Sequence, residues 1–103
     1  MANLELNKAI AELVYPDAED IRATSAGYVR FSLVREIEGR QGYTKDYCNN
    51  MNDLMPLVFE HGIQFYHNNG AVAYVGLINS RNKYPQLALA ECLLKVLQEK
   101  AND

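Results

Sequence analysis

The sequence predicts an α+β fold: an antiparallel sheet of four to five strands built from two hairpins, covered by N-terminal, central and C-terminal helices in the order α-β-β-(β)-α-β-β-α. Three observations predict it. Both ends of the chain repeat apolar residues with the period of a helix, and an Asn-Gly turn in the second half separates two apolar runs. No strand-helix-strand alternation calls for a parallel, doubly wound sheet. At 103 residues, 49% hydrophobic and 22% charged, the chain has the size and composition of a single domain, 1–103, able to bury a modest core without metal or disulfide staples.

The first periodic segment is Leu4–Tyr15, with Leu6, Ile10, Leu13 and Val14 on one face, Glu5, Lys8 and Glu12 away from it, and Asn3 placed to cap it. Pro16 ends it, because proline lacks the next helical donor and disfavours helical geometry at the residue before it. Ile21–Thr24 and Tyr28–Val34 read as strands joined by a turn at Ser25-Ala26-Gly27; Val29, Phe31 and Leu33 alternate with the polar Arg30 and Ser32. Gly39–Gly42 reads as a second turn and Tyr43–Tyr47 as a further extended segment.

Met51–Gly62 reads as a short helix. Asn50 or Asn52 can cap it, Asp53 suits its electropositive first turn, and Gly62 can take the left-handed conformation that closes many helices. Pro56 favours the later cap, or a bend, since a start at Asn50 would place it deep enough to remove a helical bond. Ile63–His67 and Ala71–Leu77 flank Asn68-Asn69-Gly70 as a hairpin, and Asn79–Tyr84 reads as loop. Pro85 suits the first turn of a closing helix to about Lys100, with Leu87, Ala90, Leu93, Leu94 and Leu97 as its apolar stripe.

Several classes fall away. No apolar run approaches the roughly 18–20 residues of a membrane span, and the opening residues lack the basic-then-apolar build of a secretion signal, so a cytoplasmic protein is expected. Cys48 and Cys92 do not make a disulfide framework, and reduced thiols are expected. A net charge of −3 disfavours general coating of nucleic acid. Charge is uneven, however: the first twenty residues carry Glu5, Glu12, Asp17, Glu19 and Asp20 against Lys8 alone. Arg22, Arg30, Arg35, Arg40 and Lys45 follow against Glu36 and Glu38, and could bind nucleic acid or orient a partner or a second copy.

Catalytic signatures are missing. There is no phosphate-binding glycine loop, nucleophile elbow or zinc-binding His-Glu-x-x-His. Cys48, His61, His67 and Cys92 lack metal-ligand spacing, so no metal or other cofactor is expected; His61 reads as a helix-end partner and His67 as a flank of the hairpin turn. A nucleophile would need Cys48, activated by the following helix dipole, with a histidine as base and Asp46 or Asp53 as orienter. Asp46 and Asp53 could equally be a strand-end and a first-turn aspartate. Seven tyrosines without tryptophan suit either a recognition surface or half-buried strands.

The run Asp46-Tyr47-Cys48-Asn49-Asn50-Met51-Asn52-Asp53-Leu54-Met55-Pro56, with Glu60-His61-Gly62-Ile63 after it, resembles the central motif of small phage and prophage proteins of the NinX-like type. Pro85–Leu94 and Leu6–Ala11 resemble their closing and opening helices; Met51 stands where that pattern often has an aromatic residue. The resemblance implies a phage or prophage accessory protein in a bacterial cytoplasm, and it carries no established activity. It singles out Asp46, Cys48, Asn49, Asn50, Asp53 and Pro56, which with Tyr47 form either a binding loop or a structural junction. The expected function is non-enzymatic binding of a host or phage protein through a sheet face and the 46–53 loop, with a homodimer possible. The alternative is a small ligand- or nucleotide-binding protein or enzyme using the Asp46–Asp53 loop.

Overall fold

The computed structural model describes residues 3–37 and 39–102, which form three helices and six strands. Helix α1 (Asn3–Val14) buries Leu6, Asn7, Ile10 and Ala11. Asn3 lies inside the helix rather than at its cap, and Tyr15 N–H still reaches Ala11 O before Pro16 turns the chain away. Strands β1 (Glu19–Ala23), β2 (Val29–Arg35) and β3 (Gly39–Lys45) then form an antiparallel meander. Its inner face presents Val29 and Phe31, and the Phe31 ring lies against Tyr15 and Tyr43 at 4.7 and 5.9 Å between centroids.

Two expectations about this region are corrected. Gly39–Gly42 is strand, not turn: Gly39 pairs with Arg35 and Gly42 with Ser32, so the reversal comes earlier, at Glu36 and Ile37. Two glycines within four residues read as punctuation, but Gly42 pairs in regular register here, and of the two only Gly39 (φ +72°) takes the conformation that favours glycine. Conversely, Asp46 and Tyr47 lie beyond the strand, and the ring of Tyr47 is buried.

Helix α2 (Met51–Glu60) is capped by Asn50, whose side-chain oxygen accepts from Asn52 N–H, and it holds Pro56 in its interior. The earlier cap therefore wins over the later one: Asn50 O also accepts from Asp53 and Leu54 N–H, and these first-turn bonds outweigh the one that proline removes. His61 is the C-terminal cap and Gly62 (φ +68°) turns left-handed after it.

The second half forms a separate meander of β4 (Gln64–His67), β5 (Ala71–Val75) and β6 (Ile78–Asn82). The Asn68-Asn69-Gly70 hairpin is present, with Asn69 and Gly70 at φ +53° and +116°. The expected strand to Leu77 stops at Val75, Gly76-Leu77 makes a two-residue turn, and the expected loop over Asn79–Tyr84 is mostly β6. Gly76, at φ +57°, is the glycine that a tight hairpin wants at its first central position. Beyond it Ile78, Ser80 and Asn82 turn inward, two of the three polar, so the composition concealed a strand.

The antiparallel α+β architecture is as expected, but the single sheet of four to five strands is corrected to two sheets of three. Each meander completes itself through short turns and lies on its own helix: α1 packs on β1 and β2, whereas α3 (Pro85–Ala101) packs on β5 and β6. The two helices pack on each other, and α2 also reaches α3. One buried cluster results, running from Val29 and Phe31 through Leu6, Ile10, Leu54, Leu89 and Leu93 to Ala73.

Candidate functional site

The segment from Asp46 to Asp53 is built around the Asp46 carboxylate. Its Oδ1 accepts from Cys48 N–H (3.2 Å), Asn49 N–H (3.1 Å) and the Asn49 amide (3.3 Å), an Asx turn of the kind aspartate favours at a chain reversal. Oδ2 accepts from the Asn49 amide as well (3.2 Å), and Asp46 O accepts from Asn50 N–H (2.9 Å). Asp53, in the first turn of α2, returns a carboxylate oxygen to Asp46 N–H (2.9 Å), while its other oxygen lies 3.5 Å from Lys45 Nζ.

Asn7 fastens this turn to the rest of the molecule. Fully buried on α1, it donates to Gly27 O (3.1 Å) and Asp46 Oδ1 (3.0 Å), and its oxygen accepts from Cys48 N–H (3.1 Å). One amide thus joins the first helix, the β1–β2 turn and the lead-in to α2. Sequence reading did not single out Asn7; its one signal was a polar residue beside the apolar positions Leu6, Ile10 and Ala11, and its partners lie 20 to 41 residues away.

Tyr47 and Cys48 are buried, so of the six candidate residues only Asp46, Asn49, Asn50 and Asp53 reach the surface, in a depression of about 330 Å³ shared with Tyr28, Thr44 and Lys45. The dipole-activated Cys48 thiolate is corrected. Burial, followed by the neighbouring carboxylates of Asp46 and Glu91, pushes its pKa up to about 12, and its Sγ lies 3.7 Å from Asn3 O. Neither histidine forms a hydrogen bond to it; His61 Nδ1 instead lies 2.9 Å from Lys100 Nζ, and burial with that ammonium holds its pKa below the ordinary histidine value. Cys48 and Cys92 are both free and buried. Among the described residues no group of three or more His, Cys, Asp or Glu is placed to hold a metal ion, and no helix is long and apolar enough to cross a membrane.

The outer faces of the two sheets differ in chemistry. On β1–β3, Arg22 stands opposite Arg30 and Thr44 lies on its other side, over a shallow concavity of about 570 Å³. Arg40 is held by Asp20 (2.7 Å) and Glu19 (3.5 Å), so carboxylates share this face with the guanidinium groups. On β4–β6, Tyr66, Val72, Tyr74, Leu77, Asn79 and Arg81 line a concavity of about 480 Å³. Tyr66 meets Tyr74 edge to face at 5.6 Å, Tyr74 donates to Gln64 Oε1 (2.9 Å), and Leu77 is 98% exposed at the turn. No family model, curated protein or solved structure matches this chain.

Proposed function

We propose that this chain is a non-enzymatic accessory protein, of the phage or prophage kind its motif resembles, that binds a host or phage protein through the outer face of β4–β6. The observation that carries the reading is the cluster of Tyr66, Tyr74, Leu77 and Arg81 on one exposed concave face. Tyrosine and arginine are among the residues that dominate binding energy at protein interfaces, and Leu77 adds exposed apolar area beside them. Charge pairing on the β1–β3 face supports a protein partner over a nucleic acid, because Arg40 and Arg22 already lie beside the carboxylates of Glu19 and Asp20.

The 46–53 loop enters this reading as a junction that sets the geometry of the fold. Its carboxylates are occupied by backbone and side-chain donors of the chain itself, which leaves the alternative of a ligand-binding or catalytic loop without a free acid, base or nucleophile. The test is retention of a partner from infected and nuclease-treated bacterial lysate by the tagged protein. A Leu77→Asp, Arg81→Glu variant is expected to lose at least tenfold of the retained partner, while Arg22→Ala retains it. Equal retention by all three proteins would remove the β4–β6 face from consideration.

A further inference from the structure

The two sheets have four edges, and three are protected. On β1 the register shifts between Glu19 and Arg22, with Asp20 at φ +54° and charged side chains on the strand. β3 carries Gly39, Arg40, Gly42 and Lys45. Along β6, Lys95 of α3 donates to Asn79 O (2.7 Å), and the Asn82 amide is held by Glu91. Bulges, charges and covering side chains are the devices by which proteins prevent strand edges from pairing. β4 has none of them: Gln64-Phe65-Tyr66-His67 contains no lysine, arginine, carboxylate, proline, glycine or bulge, all four residues are exposed, and its partner is β5 alone.

The hydrogen-bond phase of that edge follows from the hairpins on either side. Val75 and Ile78 close a two-residue turn and are a hydrogen-bonded pair, so Ala71 and Ala73 also bond toward β6, and Val72 and Tyr74 bond toward β4. Gln64 and Tyr66 therefore direct their backbone groups at β5. The bond from Asn68 N–H to Gly70 O fits the same alternation. Phe65 and His67 are left with N–H and C=O pointing into solvent at the free edge.

We propose that a second copy of this chain pairs antiparallel with β4 about a two-fold axis at Tyr66, joining the two second sheets into one of six strands. In this register Phe65 faces His67 of the other copy and the reverse, so all four free backbone groups of each edge are satisfied by four hydrogen bonds, and Tyr66 stands opposite its own counterpart. The strand is self-complementary because its two outward-bonding residues flank the one on the axis, and it carries no Lys, Arg, Asp or Glu that the pairing would set against its own copy. The pairing also aligns Tyr66 and Tyr74 of both copies into one aromatic stripe. It does not rest on the partner-binding face, whose test residues Leu77 and Arg81 lie outside β4.

The experiment is sedimentation of the full chain across micromolar to millimolar concentration, with cysteine trapping under mild oxidation. A concentration-dependent dimer is expected. Tyr66→Cys is expected to cross-link to itself, since directly opposed, non-hydrogen-bonded residues lie about 4.5 Å apart at Cα. Phe65→Cys alone is expected not to, being displaced by two residues to about 8 Å, but to cross-link when mixed with His67→Cys. Native Cys48 and Cys92 are buried, so the unsubstituted chain is the blank. Phe65→Pro removes an outward N–H and no bond to β5, and is expected to weaken the dimer at least tenfold. A chain that stays monomeric at every concentration, or a Phe65→Cys variant that self-cross-links as fast as Tyr66→Cys, overturns the proposal.

Discussion

Where the first sheet meets the rest of the molecule, the fastening is polar: Asn7 and Asp46 share a hydrogen bond and together take up Gly27 O and the N–H groups of Cys48 and Asn49. Where the second sheet lies on α3, small residues are buried on both sides, with Ala71, Ala73 and Ser80 on the strands and Ala88 and Ala90 on the helix. The contrast shows why motif and function separate here. Residue types that look chemical, Asp46, Cys48 and Asn49, are held in hydrogen bonds that orient chain segments, while the plainer half leaves Tyr66 and Leu77 exposed, the residues on which the proposed binding face rests.

The largest effect should come from breaking the polar fastening. Asn7→Ala takes the side-chain donor from Gly27 O and Asp46 Oδ1 and leaves Cys48 N–H with Asp46 Oδ1 as its one remaining acceptor, all at a fully buried position, and is expected to destabilise by about 2–4 kcal/mol. Asp46→Ala should approach that cost, whereas Asn49→Ala, at an exposed position, should cost under about 1 kcal/mol. Urea unfolding of the three variants checks the order. If Asn7→Ala and Asn49→Ala proved equally mild, the buried network would not be what fastens the first half.

How much of this was legible depended on the range over which each signal acts. The α1 and α3 stripes and the Asn-Gly hairpin are local, and their residues announce them. The turn around Asp46 was legible as a choice between junction and binding loop, since Asp46 and Asn49 sit within one turn of each other. What ties that turn into the fold is Asn7, 39 residues from Asp46, and no spacing rule connects them. The split into two sheets was hidden for a similar reason. Alternation reveals strands but not their neighbours, and β6 lacked even an apolar alternation, because polar Ser80 and Asn82 hold inward positions alternating with exposed Asn79 and Arg81.

A smaller effect should separate two glycines of the second half. Gly70 has φ +116°, and a Cβ there would lie 3.0 Å from Asn82 O, where the β4–β5 turn crosses the end of β6. Gly76, at φ +57°, faces open space. Gly70→Ala is expected to cost about 2–3 kcal/mol and Gly76→Ala about 1 kcal/mol, the first from backbone strain plus collision and the second from strain alone. Thermal or urea melts of the pair would show whether close backbone approach is what the second half relies on. Equal costs would mean that strain alone matters.

The smallest effect should come from the contact between the ends of α2 and α3, where Lys100 Nζ lies 2.9 Å from His61 Nδ1. Burial and the Lys100 charge both disfavour imidazolium there, so the folded state holds the His61 pKa below its unfolded value. With the folded pKa depressed, the unfolded chain binds the proton first on acidification. The contribution is therefore complete above about pH 6.5 and is lost as pH falls through the folded pKa. Because the pair is partly exposed, the expected change in urea midpoint between pH 8 and pH 5 is only about 0.1–0.3 M. Lys100→Met should reduce it by removing one of its two causes, leaving the part due to burial. A midpoint that falls equally in both proteins would assign the acid sensitivity to groups outside the His61–Lys100 contact.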